Sequence, residues 1–166
     1  LYALGKIDEI YKRIEIQSKT NGENIGIAAF AAFIAEVTNK DTAYNFCPSP
    51  MEFIKISNLL SHITDTPAFT KRLIDELIEV KTHWEPLGKT TVKGFQSYNG
   101  INLFDNPSKN INLLKSIILK ELKAYREKYR NALCSYIQKW PNKSNLFGWY
   151  VLLKDQGHQT AHIHTG

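Results

Sequence analysis

The chain has 166 residues, of which 43% are hydrophobic and 11% aromatic, so it can bury one sizeable core. Its 21 Lys and Arg residues outnumber its 16 Asp and Glu residues, giving a net charge of +5 that is scattered along the sequence. No stretch reaches the roughly 18 consecutive apolar residues that a membrane helix requires, so we expect no membrane span. Cys47 and Cys134 are far apart and form no Cys-x-x-Cys motif, which argues against a disulfide framework or zinc knuckle and favours a cytoplasmic location.

Residues 1–83 predict a helical region, either a bundle or a set of repeats. Apolar residues at helical spacing predict a first helix over residues 1–14, followed by a loop over residues 18–24. Residues 25–37 are the most apolar stretch and predict a second, buried helix that ends at Asn39-Lys40-Asp41. We also expect this apolar helix to offer a surface to a protein partner.

Two further helices are predicted in this region. Residues 51–61 follow a proline-rich connector and carry apolar side chains at helical spacing. Thr66 and Pro67 supply a cap and a first-turn proline for a fourth helix that reaches His83 or Trp84.

The composition changes at Trp84, so we predict one domain over residues 1–83 and a second over residues 84–166. Residues 84–104 bring Pro, Gly, Thr and aromatic residues, which predict loops and one or two strands. Ser108 then caps a long amphipathic helix whose basic residues lie opposite an apolar stripe. A solvated helix face explains that pattern better than a phosphate-binding stripe, so we do not expect nucleic-acid binding.

The segment 148–166 contains two alternating runs on either side of Asp155-Gln156-Gly157, which predicts a hairpin. As a strand, the second run would place on one face His158, Thr160, His162 and His164. Two imidazoles two residues apart on a strand converge on one ion, so His162 and His164 are candidate metal ligands. His158 would lie about 13 Å from His162 along such a strand, which is too far to share the ion.

Three blocks resemble the opening half of a 2-oxoglutarate- and Fe(II)-dependent oxygenase domain. They are WEPLGKTTVKGFQSYNGINLF (84–104), the helix end LKAYREKYR (122–130) and GWYVLLKDQGHQTAHIHTG (148–166), of which the last is the most specific. Members of this family often carry a helical, repeat-type region in front, similar to residues 1–83. The resemblance implies an α+β chain, in which a helical N-terminal region precedes the opening part of a double-stranded β-helix, or jelly roll.

The resemblance also implies an enzyme that uses Fe(II), 2-oxoglutarate and molecular oxygen to hydroxylate an unidentified substrate, with release of succinate. His162 matches the first iron ligand, and His164 stands where the family most often has an acid. Tyr150 is a candidate for a hydrogen bond to the keto acid, although a structural core tyrosine is the favoured interpretation. A third ligand and the residue that grips the keto acid are expected beyond Gly166, so we expect the chain to be truncated after its first ligand motif.

Other interpretations stay open. The two C-terminal histidines are also compatible with an exposed strand end, and His62 and His83 fall in the helical region, where surface or capping roles are expected. The alternative function is a non-catalytic, helical protein-interaction module with an incomplete β-domain. A weaker alternative is nucleic-acid binding through the basic helix.

Overall fold

The computed structural model describes residues 1–98 and 100–162, and it combines α-helices with a three-stranded antiparallel sheet. The predicted α+β class is therefore confirmed, whereas the double-stranded β-helix stays a prediction. The described helices are α1 (Ile7–Thr20), α2 (Ile25–Thr38), α3 (Thr66–Ile78), α4 (Lys109–Tyr129) and α5 (Ser135–Gln138). The strands are β1 (Thr82–Trp84), β2 (Thr91–Ser97) and β3 (Val151–Gln159), in the order β1-β2-β3.

The chain divides into two compact units. The first unit contains Leu1–Ile56 and Tyr125–Asn142, and the second contains Ser57–Ala124 and the described residues from Lys143 onward. The predicted boundary between residues 83 and 84 falls inside the second unit, and the assignment of a separate domain to each side of it stays a prediction.

The core of the first unit forms where α1 meets α2. Ile10 and Ile14 of α1 are buried together with Ala28, Ala31 and Ile34 of α2. The three α2 residues are spaced by three, so they form one stripe along the helix. Burial of this stripe removes apolar surface from water and is the main force that holds the two helices together.

The second helix begins at the predicted residue and ends one residue later than predicted, and asparagines cap it at both ends. The side chain of Asn24 accepts the N–H of Ile27 at 3.0 Å, and Asn39 adopts a left-handed conformation with φ 49°. The prediction that the whole helix is buried is wrong, since Phe30 and Phe33 remain 42% and 45% exposed. The stripe toward α1 is covered, whereas the opposite apolar face is partly open, with the Tyr2 ring packed edge to face on Phe33 at 5.3 Å.

The third predicted helix, over residues 51–61, is wrong. Short 3-10 turns at Pro50–Phe53 and Leu59–Ser61 flank an extended segment. The carbonyl groups of Phe53 and Ile54 accept hydrogen bonds at 2.7 and 2.8 Å from the hydroxyls of two tyrosines of α4, Tyr125 and Tyr129. Because side chains from a distant helix supply hydrogen bonds to these two carbonyl groups, the segment does not need helical hydrogen bonds to pair them.

The fourth predicted helix is shorter than expected and begins on a different cap. The carboxylate of Asp65, not the Thr66 hydroxyl, accepts the N–H of Ala68 at 3.1 Å. The helix ends at Ile78, and the next ordered element is a strand, β1, in which Trp84 pairs with Phe95 of β2. The two rings meet edge to face at 4.9 Å, a cross-strand contact that favours a strand over a continued helix here.

The second unit is organised by α3 and α4. Ser108 directly precedes α4 as predicted, but the carboxylate of Glu76 in α3 accepts the N–H groups of Asn110 and Ile111 at 2.9 and 3.0 Å. Burial alone would raise the pKa of Glu76, but the hydrogen bonds from these two residues outweigh it and lower that pKa. The apolar core of this unit contains side chains from both helices and from the turn before α4, namely Leu73, Leu77, Leu103, Phe104, Ile111, Leu114 and Ile118.

Candidate functional site at the end of strand β3

The strand that leads to the predicted metal ligands is continuous, so the predicted hairpin at Asp155-Gln156-Gly157 is wrong. His158 pairs with Val92 of β2, and Leu153 pairs with Gly94. One residue of β2 therefore lies opposite four residues of β3, which is a β-bulge.

Close backbone approach explains the bulge. A Cβ atom added at Gly157 would lie 2.5 Å from the carbonyl oxygen of Lys93, so only glycine fits without a shift of the backbone. Lys93 in β2 and Gln156 in β3 adopt positive φ angles of 50° and 60°, which change the backbone direction of both strands at the bulge. The three residues that looked like a hairpin turn in the sequence thus bend β3 within the sheet.

His162 lies beyond the end of β3. The strand ends at Gln159, and the N–H of Thr160 donates to the carbonyl of Thr90 at 2.9 Å. The expected strand face shared by His158, Thr160 and His162 is therefore wrong, because the strand ends before His162. His164, the second predicted ligand, lies outside the described residues.

The ring of His162 nevertheless has a defined orientation. Its Nδ1 lies 2.8 Å from the carbonyl oxygen of Thr160. A carbonyl oxygen can only accept, so Nδ1 carries the proton and the lone pair of the neutral ring is on Nε2. Metal-binding histidines commonly have one nitrogen donating to a backbone carbonyl while the other is the ligand, and His162 fits this description.

A complete metal site is not present in the described part of the chain, where no three His, Cys, Asp or Glu side chains are grouped closely enough to hold an ion. His158 is exposed in β3, and its Nδ1 lies 3.4 Å from the carbonyl of Gln156. The structure therefore places one of the two predicted ligands in a suitable tautomer, and both ligand roles stay predictions.

Tyr150 is held in the sheet immediately before β3. Its backbone N–H donates to the hydroxyl of Ser97 at 3.2 Å, and its own hydroxyl donates to the carbonyl of Val80 at 3.3 Å. Burial raises the pKa of the Tyr150 hydroxyl above its ordinary value. To bind a keto-acid carboxylate, the Tyr150 hydroxyl would have to give up its hydrogen bond to the Val80 carbonyl. The cofactor-binding role of Tyr150 stays a prediction.

A polar cluster that sequence reasoning missed involves His62. The ring Nε2 lies 2.6 Å from Oε1 of Glu121 in α4, and the Ser57 hydroxyl donates to Oε2 of the same carboxylate at 2.5 Å. Of the two roles predicted for His62, capping is confirmed, because its backbone N–H donates to the carbonyl of Leu59 at the end of a 3-10 turn. The predicted surface role is wrong, because only 9% of the His62 side chain is exposed. The 59 residues that separate His62 from Glu121 leave no local signal for this contact.

His83, the other histidine of the predicted helical region, lies in β1. Its ring stacks on Tyr98 with 3.6 Å between the ring centroids. The residue belongs to the sheet and not to a helix, and its stacking explains its position without a ligand role.

Comparisons of the chain with protein-family models, with curated proteins and with solved structures found no match. Among the residues described, no helix has both the length and the apolar character needed to cross a membrane. The oxygenase resemblance therefore stays a prediction that rests on the three sequence blocks.

Proposed function

We propose that the chain belongs to a cytoplasmic Fe(II)- and 2-oxoglutarate-dependent dioxygenase that hydroxylates an as yet unidentified substrate. The observation that carries the proposal is the position and tautomer of His162. This residue follows the strand of the most specific sequence block, and the Thr160 carbonyl holds its Nδ1 proton so that Nε2 has the lone pair. An imidazole set in this way needs no change of tautomer to bind a divalent metal.

In this proposal His162 and His164 hold the iron, and Tyr150 lies near the keto acid as a hydrogen-bonding group. The iron and the keto acid, when bound, supply the oxidising chemistry, in which 2-oxoglutarate and molecular oxygen yield succinate, carbon dioxide and a hydroxylated substrate. The Thr160 carbonyl orients His162, and the bulge opposite Lys93 shapes the strand that precedes it. The double-stranded β-helix is the fold in which we place these residues.

The test compares His162→Ala with His158→Ala in the full-length protein. After anaerobic reconstitution with Fe(II), bound iron and succinate formed from 2-oxoglutarate are measured for both variants. We expect His162→Ala to lose both and His158→Ala to retain both, because His158 is an exposed histidine of β3 that the proposal leaves without a role. Normal iron content and succinate formation in His162→Ala would reject the assignment.

The alternative is a non-catalytic, helical protein-interaction module. Its support is the exposed apolar face of α2, where Phe30 and Phe33 contact each other with 6.4 Å between their ring centroids. Wild-type protein that binds no iron after anaerobic reconstitution would favour this module over the oxygenase.

A further inference from the structure

A groove of about 1070 Å³ opens within the first unit, alongside α2. One wall is α2 itself, where Ala29, Ala32 and Phe33 supply apolar surface, and the facing wall is the proline-rich segment that ends in the turn at Pro50–Phe53. Met51 on that facing wall is 77% exposed. The groove is therefore apolar, open to solvent and large enough to hold side chains of another molecule.

The charged residues that line the groove are mainly acidic. Glu36, Asp41 and Glu52 are exposed, and none of the three makes an ion pair within the described residues. Lys40, the basic residue of the lining, has its ammonium group 4.7 Å from the centre of the Tyr11 ring. The groove thus carries negative charge in a chain whose net charge is +5.

We propose that this groove binds an amphipathic helix of a protein partner, with Lys or Arg residues flanking the helix's apolar face. Small side chains at Ala29 and Ala32 are three residues apart on α2 and allow a second helix to approach closely. The 14 residues of α2 span roughly 21 Å, the length of about four turns of a bound helix. Basic residues at its flanks would pair with the three carboxylates, and acidic ones would be repelled.

The proposal concerns the first unit only and needs neither iron nor a keto acid. It goes beyond the oxygenase function, and it also stands if the alternative module is correct. A protein that fails the iron test can still bind the helix, and a protein that binds iron can fail to bind it, so the two failures are distinguishable.

The probes are two synthetic 14-residue helices with identical leucine faces, one with lysine and one with glutamate at the polar positions. Binding of each labelled peptide to the intact protein is measured by fluorescence anisotropy. We expect the lysine peptide to bind at least about tenfold more tightly than the glutamate peptide, and we expect added salt to reduce this difference.

Charge reversal locates the site. The triple variant Glu36→Lys, Asp41→Lys and Glu52→Lys should weaken binding of the lysine peptide by about tenfold or more. The matched control reverses three exposed carboxylates outside the groove, at Asp75, Glu79 and Glu127, and changes the net charge by the same amount. We expect the control to alter binding by less than about threefold through long-range charge alone.

A third variant tests the apolar wall. Phe33→Ser leaves the charges unchanged, and Phe33 is already 45% exposed, so we expect a native circular dichroism spectrum together with weaker binding of the lysine peptide. Equal binding of the two peptides, or equal losses in the two triple variants, would overturn the proposal. A dimer in sedimentation experiments that Phe33→Ser abolishes would also overturn it, since a second copy of the chain would then occupy the groove.

Discussion

Tyr44→Phe removes a hydroxyl group that lies at the connection between the end of α1 and the start of α2. Tyr44 is only 1% exposed, and its hydroxyl donates to the carbonyl of Asn21 and accepts the N–H of Asn24 at 2.9 Å. Asn21 ends α1 and Asn24 caps α2, so this hydroxyl joins the two helix ends. Phenylalanine leaves these two backbone groups with only the longer hydrogen bond between them, from the N–H of Asn24 to the carbonyl of Asn21 at 3.3 Å.

The expected cost follows from these two hydrogen bonds. Each net hydrogen bond is worth about 1 kcal/mol. We therefore expect Tyr44→Phe to lower the free energy of unfolding by about 2 kcal/mol. For a chain of this length, that loss corresponds to a fall in Tm of about 4–8 °C.

Tyr11→Phe is the matched control. Its hydroxyl also makes two hydrogen bonds, to Thr38 Oγ1 at 2.7 Å and to the carbonyl of Lys40 at 2.6 Å, but Tyr11 is only half-buried and the bond to Lys40 is exposed. Water can replace them, so we expect a loss of less than about 1 kcal/mol. Urea unfolding followed by circular dichroism at 222 nm measures both variants. A loss in Tyr44→Phe no greater than that in Tyr11→Phe would refute the reasoning.

Two further predictions concern the second unit. Gly157→Ala should lower the free energy of unfolding by about 1–3 kcal/mol and speed amide exchange along β3, because the added Cβ meets the carbonyl of Lys93 and the backbone must shift; unchanged exchange would contradict the close approach. Glu76→Gln tests the carboxylate that accepts the first N–H groups of α4. Hydrogen bonds lower the pKa of Glu76 in the folded protein, so the carboxylate stabilises the fold at pH values above the pKa of the unfolded chain. That stabilisation is lost as the pH falls through the pKa of the folded protein. Urea unfolding at pH 7 and pH 3 should therefore show a destabilised variant at pH 7 and a smaller difference from wild type at pH 3, and a difference that does not change with pH would contradict this role.

The candidate site was predictable only in part. The sequence singled out His162 through its spacing from His164 and through the resemblance of its block. The local hydrogen bond that sets the tautomer of His162 depends on Thr160, two residues away, and on where β3 ends. That end point is set by pairing with β2, which the alternation of residues within the block could not indicate.

The cluster around His62 illustrates the opposite case. Nothing near His62 in the sequence marks it as a partner of Glu121, because the contact joins a short turn to a long helix across 59 residues. The sequence predicted a surface or capping role for His62 and gave no role to Glu121. Only the packing of the second unit brings the ring and the carboxylate together.

By itself, the sequence determined the elements whose signals are local. The apolar run over residues 25–37 and the closing Asn39-Lys40-Asp41 predicted the bounds of α2 to within one residue, and the change of pattern at Trp84 predicted strands after the helices. These signals are local because a helix pairs its own backbone within four residues and a cap acts over three.

The tertiary structure decided the rest. It replaced a predicted helix with an extended segment whose carbonyl at Phe53 is satisfied by Tyr125, 72 residues away, and it turned an expected hairpin into a bulge opposite Lys93. It also left one apolar face of α2 partly open and placed carboxylates beside it. The physical reason is the same in each case: burial, strand pairing and the satisfaction of backbone groups by distant side chains depend on neighbours that the local sequence does not specify.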